Sequence, residues 1–293
     1  MRAIPGSTDD AAKRLDDFFG TFSGAAIPLL LVDYDGTLAP FRVDRFKARP
    51  WAGVQRLMNL IQSQEKTRIV VVTGRPAAEI APLLGIERAP EVWGLHGSER
   101  MHRDGRRELE QVPAAACTRL KAACEQLRRD SFGGLFEEKS NAAAMHWRGI
   151  STAKAKAIEK RTRALFESLA QTDGLSLVEF EAGLELRAGR DKGQAVHALL
   201  EEIYESDGMS HPAAFLGDDL TDEAAFRAIK GYGLSVLVRR QSRPTAADVW
   251  LRPPVELRAF LKQWWRACRG LEIDAFAARS GFSEGRESIV EGD

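Results

Sequence analysis

From Ile27 to Val32 the chain is apolar at every position. A strand with one wet face alternates between apolar and polar residues. An unbroken run instead predicts a strand covered on both faces, as in a parallel sheet. Similar runs stand at 68–74 (RIVVVTG), 92–97 (VWGLHG), 213–219 (AAFLGDD), 234–238 (LSVLV) and 248–251 (DVWL). Between them apolar residues fall at helical spacing, as Val54, Leu57, Met58 and Ile61 do within 52–64. Further helices are expected over 9–22, 76–84, 192–206, 221–230 and 254–267, the first with Ser7, Thr8 and Asp9 as capping candidates. Strands alternating with helices predict a right-handed, doubly wound α/β sheet, mainly parallel and Rossmann-like.

Near Asp104 the pattern changes. A long helical stretch at 111–130 precedes strand-like runs at 135–140 and 141–148, a helix at 152–170, and strands at 175–183 and 184–188. The simplest organisation is a core of residues 1–103 and 188–270 interrupted by an inserted α+β cap at 104–187. The polar segment 271–293 is expected to be a loose tail.

Composition narrows the function without naming it. The 293 residues are 44% apolar and 29% charged, an ordinary globular balance that excludes a mainly disordered chain. Lys plus Arg and Asp plus Glu both number 42, so no net field favours nucleic acid or a membrane surface, and only a local basic site for a small anion is left open. The three cysteines form no CxxC pair, and the seven-residue spacing of Cys117 and Cys124 reads as two packed core thiols on one helix face. No apolar run reaches the roughly 20 residues of a membrane span, and the first residues carry no apolar signal core. A reducing cytoplasm is the expected location.

Four groups carry candidate chemistry, each beside the end of an apolar run or the start of a helix. Asp33-Tyr34-Asp35-Gly36-Thr37 puts two carboxylates two residues apart at a strand's carboxyl end, where α/β sheets place their ligand crevice. One can attack an electrophile while the other handles protons. A calcium loop counted from Asp33 needs Gly at its sixth position and Glu at its twelfth, but Leu38 and Asp44 stand there. Thr73-Gly74-Arg75 offers a hydroxyl and backbone amides to a phosphate oxygen, although taken alone a plain turn is the commoner reason for such a segment after a strand. Lys192 can neutralise phosphate and restrain nearby carboxylates. Gly217-Asp218-Asp219-Leu220-Thr221-Asp222-Glu223 crowds acids together, and hard oxygen ligands without His or Cys point to Mg2+. Favourable helix-dipole placement accounts for Asp222 and Glu223 but not for Asp218 and Asp219. No Gly-Lys dipeptide, hence no Walker A loop, occurs anywhere, and Gly281-Phe282-Ser283-Glu284-Gly285 follows no apolar strand, so that G-x-S-x-G match is accidental.

In this order, DYDGT (33–37), VVVTGR (70–75), Lys192 and GDDLTDE (217–223) resemble the four motifs of the haloacid-dehalogenase-like phosphotransferases. The resemblance implies that Asp33 is the nucleophile and Asp35 the acid and base. Thr73 and Lys192 would hold phosphoryl oxygens, and Asp33, the Asp35 carbonyl and Asp218 would ligate Mg2+. Asp219 and Asp222 would stand in an outer shell of the metal or orient the lysine.

Substrate choice is expected from the cap. Glu137, Lys139, His146 and Arg148 share strand parity, although a solvated face with cross-strand ion pairs would look the same. The E-x-K and H-x-R segments, with Gly94-Leu95-His96-Gly97-Ser98-Glu99, resemble the trehalose-6-phosphate phosphatase family. That resemblance implies a sugar-phosphate substrate contacted by Gly74, Arg75, His96, Gly97, Glu137, Lys139, His146, Arg148 and Glu185. Alternatives are a phosphatase for sucrose phosphate or mannosylphosphoglycerate, or a non-catalytic module partnered with a trehalose-phosphate synthase.

Overall fold

A computed structural model describes residues 8–22, 27–42, 44–129, 135–139, 141–172, 174–180 and 182–271. The tail beyond Leu271, its G-x-S-x-G match and the Ser7 cap lie outside them. Six parallel strands are the backbone of the core: β1 (Leu29–Val32), β2 (Arg68–Val72), β3 (Glu91–Gly94), β10 (Ala213–Gly217), β11 (Gly233–Val238) and β12 (Val249–Leu251). With β4 (Glu99–Met101) and β5 (Arg107–Leu109) antiparallel at one edge, the order is β12-β11-β10-β1-β2-β3-β4-β5.

The strand parity explains the apolar runs. Leu30, Val32, Ile69, Val71, Ala214 and Leu216 enter one hydrophobic layer, which includes residues of helices α1 (Thr8–Gly20), α2 (Val54–Gln62), α3 (Ile80–Leu84) and α8 (Val255–Ala267). Leu29, Leu31, Val70, Val72, Ala213 and Phe215 enter the other, with α6 (Lys192–Asp207) and α7 (Glu223–Ala228). A sheet sandwiched this way has no polar face to spare, so polar side chains collect at the strand ends.

Two expectations change at the β3 edge. The 92–97 strand stops at Gly94, because Leu95 and His96 adopt left-handed backbone (φ 48° and 60°) as their amides bond to the carbonyls of Arg75 and Thr73. The chain is thereby drawn across the end of β2. Strand β5 lies past residue 103, so the core sheet runs on into the segment read as insert. It has three residues, all exposed and mostly charged, and so carries no hydrophobic signature.

The cap is a four-stranded antiparallel sheet, β6 (Phe136–Glu138), β7 (Ala142–His146), β9 (Gly183–Ala188) and β8 (Leu175–Phe180) in that order. Helices α4 (Ala114–Arg129) and α5 (Thr152–Leu169) cover one face over Ala143, Met145, Leu184 and Leu186. Cys124 joins that layer, but Cys117 is exposed, contrary to the paired-thiol reading. The buried stripe of α4 runs through Ala116, Leu120, Ala123 and Leu127, and Cys117 sits at its margin on the first turn. Where chain enters and leaves the cap, the Glu110 carboxylate accepts hydrogen bonds from Ser98 Oγ (3.0 Å) and the Arg190 amide (2.7 Å).

Helix α1 docks by aromatic contact. Phe19 is buried with its ring 5.3 Å from that of Phe260, and Phe22 lies edge-on to Trp264 at 4.8 Å. Trp264 Nε1 donates to Thr67 Oγ1 at 3.0 Å, fixing the indole beneath the sheet. Phe19→Ala should lower unfolding free energy by about 3–5 kcal/mol, measured by denaturant titration. A loss below about 1 kcal/mol would mean that α1 is not part of the cooperative core.

Candidate active site

The carboxyl edges of β1, β2 and β10 bring the sequence-predicted groups together. Asp33 follows β1, and its amide bonds to the Leu216 carbonyl at 2.8 Å, in register with β10. Three residues later Gly36 turns the chain with φ 85°. A Cβ there would come within 2.0 Å of the Asp218 carboxylate, so glycine both makes the turn and leaves space for the acid. Lys192, first residue of α6, donates from Nζ to Asp33 Oδ1 and to Asp222 Oδ1, each at 2.7 Å. The Asp191–Gln194 capping box fixes where that helix starts.

Asp222 is buried, and its second oxygen accepts the amides of Asp218 (2.9 Å) and Asp219 (3.0 Å). Its placement is therefore that of a group orienting the lysine and the loop after β10, rather than a surface acid at a helix start. The Asp219 carboxylate accepts from the Leu220 amide at 2.7 Å. Ligand oxygens of Asp33, Asp218 and Asp222 lie within 4.8 Å of one another, while Asp219 stands outside this group.

Burial dominates the electrostatics. It pushes the Asp33 carboxyl up to about 7, helped by nearby Asp222 and Asp35 and opposed by Lys192. Burial, then Asp33, Asp222 and Asp219, holds Asp218 well above the carboxylate range. For Lys192 burial works against the charge, but Asp222 and Asp33 outweigh it and raise the ammonium above its usual value. Three buried acids thus share one cation. Asp218 Oδ1 is buried without a hydrogen-bond partner among the described residues. This donor set fits a hard divalent cation.

Asp35 is held differently. Arg75 Nε and Nη2 grip its two oxygens at 2.6 and 2.7 Å, and the guanidinium lies over Tyr34, 5.6 Å from the ring centre. Tyr34 in turn donates to the Ala48 carbonyl at 2.7 Å. Arg75, expected at the substrate, therefore positions a carboxylate of the site. Thr73 is buried at the end of β2 and accepts the Arg75 amide at 3.2 Å. The His96 ring lies where a Cβ on Gly74 would be, and Gly97 (φ 114°) completes the turn against Ala195. Burial, then Arg187, Lys192 and Lys139, keeps the imidazole well below its usual pKa, so it is neutral, and Nδ1 has no partner among the described residues.

Over these strand ends opens a cavity of about 820 Å3 roofed by the cap. Its lining includes Asp33, Thr73 and Lys192 from the core and Glu137, Lys139, His146 and Glu185 from the cap. Glu137 accepts from His146 Nε2 (2.9 Å), a bond that, with burial opposing, keeps its carboxyl below the ordinary range. Glu185 accepts from Lys139 Nζ and from Arg187 Nε, both at 2.7 Å. Burial raises the Glu185 pKa, but Arg187 and Lys139 more than reverse it. Cross-strand pairing sets Ala144 between Glu137 and Glu185, so a small residue leaves room between the charged rows.

Arg148 does not join them. Strand β7 ends at His146, and Arg148 is exposed in the turn beyond, outside the cavity lining. Sequence reasoning missed Arg187, 2% exposed and part of that lining. Its parity with Glu185 was the available signal.

Comparison with known proteins places this arrangement. The chain is 30% identical over 244 residues to a trehalose-phosphate phosphatase of Mycobacterium marinum, a match spanning 80% of this chain and 60% of that relative's length. Among solved structures it superposes on the C-terminal domain of a C. albicans trehalose-6-phosphate phosphatase with TM-score 0.68 at 21% identity, covering 92% of this chain and 99% of that one. It also superposes on a trehalose-6-phosphate phosphatase related protein with TM-score 0.59 at 26% identity, covering 83% and 98%. The fold is that of the haloacid-dehalogenase-like hydrolases, several of which superpose on it. The family model for trehalose-phosphatase matches residues 31–252, from within β1 to just past β12, and the chain belongs to that family.

Proposed function

We propose that this chain hydrolyses trehalose 6-phosphate to trehalose and phosphate, with Mg2+ as cofactor. The observation that carries the reading is Asp33, bonded to Lys192 at the base of a cavity whose other wall is the polar face of the cap. An Asp33 oxygen attacks phosphorus as the bond to the sugar oxygen breaks, giving an aspartyl-phosphate. Protonated Asp35 gives its proton to the leaving alkoxide. It then takes one from water as that water attacks phosphorus, which releases phosphate and restores both acids. Arg75 keeps Asp35 aimed at the reacting centre through its two-point grip. Lys192 and the Thr73 hydroxyl hold phosphoryl oxygens. Asp33, Asp218 and the Asp35 carbonyl would hold Mg2+, which supplies the positive charge that three acids and a phosphate require.

In the cap, Glu137, Lys139, His146 and Glu185 meet the sugar hydroxyls, and neutral His96 offers its unpartnered nitrogen nearby. A synthase-class reaction that phosphorylates or joins sugars would supply the substrate. No described helix is long and apolar enough to cross a membrane, and action in the cytoplasm belongs to this reading. A non-catalytic role has nothing in its favour at the site, since Asp33, Lys192 and Asp218 form one connected cluster.

Asp33→Asn should keep the fold and lower phosphate release from trehalose 6-phosphate by more than a hundredfold, because no neighbouring group replaces the attacking oxygen. Turnover within about tenfold of the original would sink the covalent route.

EDTA should abolish turnover and Mg2+ restore it. The metal-free protein also has a pH signature. Folded Asp33 titrates at about 7 and the unfolded residue near 3.8, so between those values the folded state holds the extra proton. Its contribution to stability is present at low pH and falls as pH rises through this window. Added Mg2+ needs the ionised form, so it should raise the melting temperature more at pH 8 than at pH 6. An equal shift at both would show that Asp33 is not a ligand.

A further inference from the structure

We propose that Phe41 and Phe180 are sugar-stacking faces, one supplied by the core and one by the cap, that determine selectivity for a pyranosyl phosphate. This rests on reading the cavity as a sugar-phosphate site.

The lining is otherwise dominated by charged and polar groups, so two phenyl rings in it need a reason. Phe41 follows the β1 turn and is 63% exposed. Phe46, equally exposed and five residues on, lies under the Arg45 guanidinium at 5.4 Å and is no part of the cavity. Among the described residues no ring or guanidinium stacks on Phe41, yet it lines the cavity. Phe41 belongs to none of the three hydrophobic layers, so its place in the lining does not come from core packing.

Phe180 is placed with more care. On β8, Leu175 and Leu177 join the cap's apolar layer, so Val178 and Phe180 have the parity of the cavity face. Opposite Phe180 stands Gly183, and a Cβ there would fall 2.0 Å from the ring. The phenyl therefore lies over bare backbone. His146, itself bonded to Glu137, borders it with ring centres 5.0 Å apart. Along the same sheet face the next cross-strand pairs carry Glu185 and then Arg187. Polar groups and a flat apolar face thus stand side by side.

A pyranose with equatorial hydroxyls has the matching pattern: a hydrophilic rim and two faces of C–H bonds. Carboxylates, lysine and histidine take the rim. A rigid aromatic takes the C–H face at low entropic cost and excludes water from the hydrogen bonds beside it. A phosphate ester without a ring has nothing to stack.

The test compares kcat/KM for trehalose 6-phosphate, sucrose 6-phosphate and glycerol phosphate in Phe41→Ala, Phe41→Trp and Phe180→Leu, with thermal melts of each. Phe41→Ala and Phe180→Leu should each lose about three- to tenfold on the preferred sugar phosphate and change less than twofold on glycerol phosphate. Phe41→Trp should restore the sugar activity, which a merely structural role would not require. An unchanged ratio of the two substrates in both variants overturns the proposal, as does equal loss on both. If the wild-type protein prefers sucrose 6-phosphate, the substrate named above falls, while the same ratio still decides the role of the rings.

Discussion

Three carboxylates share one ammonium inside this protein, and the architecture around them follows from that imbalance. Asp33, Asp218 and Asp222 are buried, and Lys192 reaches two of them. Buried charge is tolerated only when paired and hydrogen-bonded. Asp222 meets that condition through Lys192 and two backbone amides. Asp218 does not, since one of its oxygens has no partner among the described residues. A cluster short of positive charge is costly for an empty protein and well suited to receiving a cation and a phosphoryl group, where each newcomer offsets the other.

The sheet makes such crowding feasible. With both faces sealed by helices, β1 and β10 deliver their acids to the same edge, Asp33 one residue and Asp218 two residues past the last apolar pair, Val32 with Leu216. The lysine arrives from a helix start and the third acid, Asp222, from the turn after β10, so no single segment holds the site. Arg75 performs the analogous service from β2, binding Asp35 at two points while resting on Tyr34.

Much of this was legible in the sequence because it depends on local signals. Unbroken apolar runs disclose a doubly covered sheet, and Asp33, Asp35, Thr73, Lys192 and Asp218 stand directly after such runs or at a helix start. What sequence alone did not reveal depends on tertiary geometry. Whether Asp219 or Asp222 joins the cluster is decided by a single turn of 3-10 helix. Arg148 has the right parity with His146, but the strand ends too soon for parity to apply. The β4–β5 edge is too short and too charged to show periodicity. Phe41 and Phe180 lie far apart in sequence, and only the packing of the cap over the core puts them in one cavity.

The Glu110 bond that ties Ser98 to Arg190 bears on how the cap is attached to the core. Chain enters and leaves the cap at this one junction, and the cap keeps a hydrophobic core of its own. A unit joined in this way packs its strands around a core separate from the two layers that flank β1 and α6. Under the proposed function, the groups that contact the sugar and the groups that break the phosphate ester belong to separately packed units.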